Sequence, residues 1–202
     1  MSTDHPDVRQ HILATGQAII TRKGFTGVGL NEILTNAGVP KGSFYHYFKS
    51  KESFGEALLA DYVSDYLAQM ETLLARPGQS AAESLLDYWE SWFDQGEGSC
   101  SGRCLVVKLA GEVADLSESM RLVLLHGTDA IVARLAAGIE QGMADGSIKQ
   151  IADPAHTALT LYQLWLGAAL LTKLRRAPSA LQAAMQSTRQ ILKLDAEPGT
   201  QH

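Results

Sequence analysis

The sequence predicts an all-α protein of 202 residues. Apolar side chains recur at intervals of three and four residues along most of the chain, which is the period of an amphipathic α-helix. No stretch alternates apolar and polar residues in the manner of a half-buried strand. Glycine, proline and serine interrupt the helical pattern at several places, so we expect separate helices joined by short turns.

The first three predicted helices form a small module. The first covers residues 8–23 and is stopped by Gly24, and the second covers residues 30–37 and ends before Gly38. A glycine after a helix takes the left-handed conformation that redirects the chain. Pro40 suits the first turn of the third helix, where the N–H that proline lacks is not needed. This layout predicts a helix-turn-helix whose second helix enters the major groove of DNA.

A DNA-binding domain of residues 1–50 is therefore expected, followed by a helical domain of residues 51–202. Ser50 and Ser80 suit N-cap positions because a serine hydroxyl accepts a hydrogen bond from an unpaired N–H. Pro154 suits the start of a later helix. The helices predicted for the second domain cover about residues 51–74, 81–93, 102–114, 116–144, 154–175 and 178–194.

Charge is distributed unevenly along the chain, although the net value is −5. Residues 1–55 hold six basic and four acidic side chains, whereas the remainder holds 11 basic and 18 acidic side chains. Within residues 22–51, five basic side chains accompany one acidic side chain, which predicts a local basic face suited to phosphates. The acidic remainder is expected to point away from the nucleic acid.

Composition predicts a folded, cytoplasmic protein with no membrane association. A hydrophobic fraction of 46% supports a core, and the polar, acidic N-terminus is not that of a signal peptide. The longest apolar stretch, residues 157–172, is shorter than the roughly 20 residues that span a bilayer. Two cysteines are too few for a disulfide scaffold, which favours a reducing compartment.

The N-terminal quarter of the chain resembles the DNA-binding module of TetR-family repressors. The resemblance is carried by Gly24-Phe25, by Leu30–Leu34 and by Ala37–Glu52. It implies a homodimer that binds double-stranded DNA at a quasi-palindromic operator, with the last two helices forming an intersubunit four-helix bundle. It also implies a pocket in the C-terminal domain that is coupled to the spacing of the two DNA-reading heads.

Two further stretches, Gly102–Arg121 and Leu164–Ala168, resemble the NemR branch of that family. This branch contains repressors of N-ethylmaleimide reductase-type genes that respond to electrophiles and oxidants. The resemblance implies a transcriptional repressor, not an enzyme, that leaves its operator when a cysteine is modified. A thiol-dependent enzyme on a helical bundle is the less favoured alternative, because the sequence offers no Cys–His–Asp arrangement, phosphate loop or zinc motif.

Polar residues in and beside the third helix are the candidate DNA contacts. Lys41 is placed to reach a guanine edge or a phosphate, and Ser43 to donate to either. Gly42 lets the backbone approach the duplex, and tyrosine hydroxyls reach phosphates. Lys51, at the start of the next helix, is expected to clamp a phosphate. The complete set is Gly29, Lys41, Gly42, Ser43, Tyr45, His46, Tyr47 and Lys51.

Two positions depart from the TetR pattern. Many family members carry threonine at the start of the second helix, where this chain has Gly29, so a contact there would use backbone N–H groups. The order His46-Tyr47-Phe48 stands where many members have Tyr-His-Phe. Phe44 and Phe48, four residues apart, are expected to face the core.

Cys104 is the candidate sensing residue. If Ser101 caps the next helix, Cys104 occupies its third position, where unpaired N–H groups and the helix dipole favour a thiolate. Lys108, one turn further on the same face, would add positive charge unless Glu112, a turn beyond, holds it in a salt bridge. Lys173 is a second candidate cationic neighbour.

A thiolate beside an amine suits attack on quinones, enones, aldehydes or hypochlorous acid, the oxidant leading to a sulfenic acid. Cys100, four residues before Cys104, is a candidate disulfide partner. The alternative is that Cys104 is a small buried hydrophobe. A C-x3-C spacing without a histidine pair is weak evidence for a metal, so neither a metal nor a cofactor is expected.

Aromatic residues of the second domain offer an alternative to covalent sensing. They would line a cavity for reversible binding of a small organic effector, although residues at helical spacing are more often plain core residues. The candidate pocket residues are Trp89, Trp92, Met120, Tyr162 and Trp165. One side of the last helix is expected at the dimer interface, namely Leu181, Ala184, Met185, Ile191 and Leu192.

Overall fold

The computed structural model describes residues 5–93 and 103–194, and these residues form nine α-helices and no strand. Side chains are described from Val8 onward and, after the gap, from Leu105 onward. The helices are α1 (His5–Lys23), α2 (Leu30–Ala37), α3 (Lys41–Tyr47), α4 (Lys51–Leu74), α5 (Ala81–Glu90), α6 (Arg103–Leu116), α7 (Glu118–Ala144), α8 (Pro154–Arg175) and α9 (Ser179–Ile191). The predicted all-α fold is confirmed, and α2, α4 and α8 have the bounds that the sequence predicts.

Local hydrogen bonds at the helix starts explain why these bounds are readable from the sequence. The Ser80 hydroxyl accepts from Glu83 N, and the Glu83 carboxylate accepts from Ser80 N at 2.8 Å, forming a capping box. Asp153 Oδ1 accepts from His156 N at 2.9 Å at the start of α8. The Ser50 hydroxyl accepts from the N–H three residues further on at 3.0 Å. The caps predicted at Ser50 and Ser80 are therefore confirmed.

The chain divides into two compact units. The first unit comprises residues 1–65 and 104–127, and the second unit comprises residues 66–103 and 128–202. Helices α1, α2 and α3 thus belong to one unit with the first part of α4, nearly all of α6 and the start of α7. A helix from the middle of the chain is therefore part of the unit that carries the helix-turn-helix.

Three phenylalanines form the centre of the first unit. Phe44 and Phe48 are buried, as predicted, and their ring centroids lie 5.5 and 5.1 Å from that of Phe54 in α4. Burying each such ring contributes about 1.5–3 kcal/mol. Gly16 of α1 packs directly against the Phe54 ring, whose tip would overlap any Cβ atom at that position. These contacts hold α3 and α4 against α1.

The second unit is built around two stacked indoles. The rings of Trp89 and Trp165 are nearly parallel, with centroids 4.8 Å apart, and both side chains are fully buried. Trp165 Nε1 donates to Thr188 Oγ1 at 2.8 Å, which satisfies a buried donor and joins α8 to α9. Leu181, Ala184 and Leu192, which the sequence predicts at a dimer interface, are instead buried inside this chain, so that prediction is wrong for these three residues.

Helix α7 is long and apolar enough, by length and composition, to cross a membrane. The core helix of a soluble protein satisfies the same test. Its buried positions recur every three or four residues, which is the pattern of a helix packed against a core. They are Met120, Leu124, Gly127, Ile131, Leu135, Ile139 and Gly142.

Candidate functional site

The turn between α2 and α3 has the geometry that the glycine predicts. Gly38 adopts the left-handed conformation, with φ of 62°, which a residue with a side chain rarely adopts. The N–H of Gly38 donates to Thr35 O at 3.3 Å and that of Val39 to Leu34 O at 3.2 Å, which satisfies carbonyls at the end of α2. Pro40 precedes the first residue of α3. A three-residue turn thus joins the two helices.

One face of α3 is exposed and the opposite face is buried. Phe44 points into the core, whereas the Tyr45 side chain is 47% exposed and lies beneath the Lys41 ammonium, 5.8 Å from the ring centroid. Ser43 and Tyr47 are half-buried at the edges of this face. The exposed face consists of Lys41, Gly42, Tyr45 and His46. The structure therefore brings the candidate contacts of α3 to one surface.

Gly29 and the basic side chains lie around this module. Gly29 is the exposed N-cap of α2, with extended backbone angles. The first N–H groups of any helix have no partner within it, so this end offers backbone donors. Arg22 and Lys49 are exposed, whereas Lys23 pairs with Glu32 at 2.5 Å. Glu32 thus offsets one of the five charges of the predicted basic face.

Lys51 has partners within the protein. Its Nζ donates to Phe25 O at 2.7 Å and lies 4.4 Å from the centroid of the Phe25 ring. Burial lowers the pKa of the Lys51 ammonium, and the nearby Glu112 carboxylate opposes that shift. For Lys51 to clamp a DNA phosphate, as the sequence predicts, the ammonium would have to exchange one partner for another.

Glu112 of α6 holds the turn between α1 and α2. Its carboxylate accepts from Phe25 N at 3.1 Å, from Thr26 N at 2.5 Å and from the Thr26 hydroxyl. Burial opposes ionisation, but these hydrogen bonds and the charge of Lys51 outweigh it and hold the pKa of Glu112 below its ordinary value. Nothing in the sequence signals this contact, because the partners are 86 and 87 residues apart.

Lys108, one turn earlier on α6, holds the end of α1. Its Nζ donates to Thr21 O at 2.6 Å and to Arg22 O. A cation at the last carbonyls of a helix is stabilising, because the helix dipole places partial negative charge there. Lys108 and Glu112 therefore bind α1 and its following turn, in place of the mutual salt bridge that their spacing suggests.

The remaining sensing candidates are distributed over two helices. Cys104 is the second residue of α6, one turn before Lys108, and its side chain lies outside the described residues. Cys100 and Ser101 also lie outside them. Lys173 is exposed in the last turn of α8, in the second unit. The roles assigned to these residues stay predictions.

Four of the five candidate pocket residues lie in the second unit and are buried there. Trp92 packs against Trp89 and Trp165 at centroid distances of 5.6 and 5.7 Å, and burial raises the pKa of Tyr162 above its ordinary range. The fully buried Trp89 Nε1 has no acceptor within the described parts of the chain. Met120, also buried, belongs to the first unit.

The exposed face of α8 is rich in leucine, with Gln163 as a polar member. Four leucines are exposed on this face, and Leu174 is the most exposed of them at 72%. Gly167, also exposed, lies between them and leaves room for close approach of another helix. The exposed leucines are Leu159, Leu170, Leu171 and Leu174.

Comparison with known proteins gives consistent matches along the chain. Family profiles of bacterial regulatory proteins of the tetR family and of the tetracyclin repressor-like C-terminal domain match residues 12–58 and 81–188. The HTH-type transcriptional repressor NemR of Escherichia coli (strain K12) is 40% identical over 196 residues, 96% of this chain and 98% of the relative. The crystal structure of the reduced form of E. coli NemR matches with a TM-score of 0.87 and 38% identity, covering 96% of this chain and 100% of that chain. A crystal structure of a TetR/AcrR family member matches with a TM-score of 0.83 and 46% identity, covering 93% and 99%. The chain therefore belongs to the TetR family and is a transcriptional repressor of the helix-turn-helix type.

Proposed function

We propose that this repressor releases its operator when Cys104 is modified by an electrophile or an oxidant. The observation that carries the proposal is the position of Cys104, in the first turn of a helix whose next two turns hold α1 and the turn after it. The 40% identity to NemR over nearly the whole chain supports it. Unpaired N–H groups in the first turn of a helix favour a thiolate, which is the reactive form of cysteine.

The first step needs only the thiol, the incoming reagent and water. With a quinone or enone, the Cys104 sulfur adds to the electrophilic carbon, and the resulting enolate takes up a proton from water. With hypochlorous acid, the thiolate gains oxygen to become a sulfenic acid as chloride leaves. The sulfenic acid then condenses with a nearby thiol or nitrogen and loses water, and Cys100 is the candidate thiol.

DNA binding by two copies of the chain completes the proposal. TetR-family regulators bind operators as dimers, and the exposed leucines of α8 are suited to pack against their counterparts in a second protomer. Two reading helices spaced by roughly 34 Å would enter successive major grooves of a quasi-palindromic operator in the cytoplasm. Modification would favour a head spacing that no longer matches the two half-sites.

Cysteine variants test the trigger directly. The operator is first selected from random duplex DNA by the purified protein, and binding is measured before and after treatment with p-benzoquinone or hypochlorous acid. Cys104→Ser is expected to stay bound after both reagents. Cys100→Ser is the matched control and should still be released by the quinone, since addition needs no second thiol. Release of Cys104→Ser to the same extent as the unsubstituted protein would rule out the cysteine trigger.

Reversible binding of a small organic effector is the second candidate. It is favoured by the buried aromatic cluster and by the Trp89 N–H, which has no acceptor within the described parts of the chain. All three tryptophans lie in this cluster, so their fluorescence reports on it directly. The test is titration of Cys104→Ser with a small organic compound. A saturable change in tryptophan fluorescence, together with operator release and no gain in protein mass, would favour this candidate.

A further inference from the structure

We infer that Lys108 and Glu112 make α6 a clamp on the end of α1, and that they are positioning residues for the DNA-reading helix. Cys104, Lys108 and Glu112 follow one another at intervals of one helical turn. The clamp would pass a change at the start of α6 to the helix-turn-helix. The part of the inference that concerns the trigger rests on the proposed modification of Cys104. The positioning role of Lys108 and Glu112 does not depend on that modification.

The two side chains match the polarity of the backbone that they bind. Lys108 donates to the carbonyls of Thr21 and Arg22, at the negative end of the α1 dipole. Glu112 accepts from the N–H groups of Phe25 and Thr26, four residues further on. Because the spacing is four residues on both elements, a movement of α6 along its axis acts on both contacts together.

Phe25 connects this clamp to a second helix. Its N–H donates to Glu112 of α6, and its carbonyl accepts from Lys51 of α4. Its ring is buried and lies beneath the Lys51 ammonium. Glu112 and Lys51, from two different helices, therefore bind the N–H and the carbonyl of Phe25. These two contacts fix the position of the Phe25 backbone.

The turn at Phe25 is short and leads to α2. Val28, between Phe25 and α2, is fully buried, and its N–H donates to Phe25 O at 3.4 Å. Helix α2 begins at Leu30, and α3 follows α2 after the three-residue turn at Gly38. A displacement of Phe25 would therefore be passed to α2 and to the exposed face of α3.

The first arm of the test uses unmodified protein. Replacing Glu112 by alanine should speed hydrogen exchange at the Phe25 and Thr26 amides by about tenfold, as expected when a protecting hydrogen bond is lost. Glu112→Ala and Lys108→Met should each also weaken operator binding severalfold. Asp115→Ala, at an exposed acidic position on the same helix, is the matched control and should change neither quantity. Unchanged exchange and unchanged affinity in both variants would overturn the positioning role.

The second arm measures coupling. The operator Kd is determined before and after p-benzoquinone, and mass spectrometry verifies that Cys104 is modified equally in each variant. In Lys108→Met/Glu112→Ala, the ratio of the two Kd values should fall to within about twofold of one, because the coupling between sites is lost. A ratio equal to that of the unsubstituted protein would show that the clamp stabilises the head without transmitting the signal. Lys108→Arg keeps a cation and should retain the ratio.

The two arms also separate the clamp from its trigger. If p-benzoquinone modifies the unsubstituted protein without releasing it, the proposed function fails and the first arm alone decides the positioning role. If release occurs and the double variant responds fully, the proposed function stands and the transmitting role is wrong.

Discussion

Replacement of Lys51 by methionine distinguishes an ammonium that holds the α1–α2 turn from one that clamps a DNA phosphate. In the structure, Lys51 Nζ donates to Phe25 O at 2.7 Å and lies 4.4 Å from the ring centroid. A hydrogen bond from a charged donor contributes about 1.5–3 kcal/mol, and an exposed cation–π contact about 0.5–1 kcal/mol. Because Lys51 is only half-buried and methionine keeps an apolar stem, we expect the free energy of unfolding to fall by about 2 kcal/mol.

The assays are urea denaturation and operator titration at several salt concentrations. If the ammonium stays on Phe25 O in the complex, Lys51→Met weakens operator binding because the turn is displaced. The salt slope, which is the slope of the logarithm of the binding constant against the logarithm of the salt concentration, then stays unchanged. Lys41→Met is the matched control, since Lys41 is exposed on α3. Its salt slope should fall by about 0.9, and its free energy of unfolding should fall by no more than about 0.5–1 kcal/mol, the contribution of its contact with the Tyr45 ring. The reasoning is refuted if Lys51→Met keeps full stability and lowers the salt slope by about 0.9, as the sequence alone predicts for a phosphate clamp.

Three further outcomes are expected. Gly16→Ala should lower the free energy of unfolding by about 1–3 kcal/mol, because the added Cβ would overlap the Phe54 ring. Gly111→Ala is the control, since this helical site is open and should accept alanine without loss of stability. Thermal unfolding of both variants checks the prediction. The pKa of Glu112 is lower in the folded protein, so its stabilising contribution is present above the ordinary value of 4.5 and is lost as the pH falls through the folded-state pKa. Glu112→Gln should lack the loss of stability at low pH that is due to Glu112, which is checked by measuring melting temperature against pH. Parallel curves for the variant and the unsubstituted protein would contradict this prediction. Leu174→Glu should shift the proposed dimer towards monomer in analytical ultracentrifugation, while Gln141→Glu, at an exposed polar position of α7, should not.

The helices could be predicted because the interactions that define their ends are local. The Ser80 capping box and the Asp153 cap each join residues three apart, and the left-handed turn at Gly38 follows from the residue type alone. The burial of Phe44 and Phe48 follows from their spacing on one face of α3. The compact units are not contiguous in the sequence, because α6 joins the first unit by contacts between residues far apart in the chain.

What the sequence by itself determined is the set of helices, the helix-turn-helix and the exposed face of α3, since each depends on neighbours within a few residues. The tertiary structure decided what three charged side chains hold. Lys51, Lys108 and Glu112 read as surface charges, and Lys108 and Glu112 even have the spacing of a salt bridge along one helix. Their partners are backbone groups at the end of α1 and in the turn that follows it, up to 87 residues away. A backbone carbonyl or N–H carries no residue-specific signal, so only the packing of α4 and α6 against α1 could show that these side chains bind there.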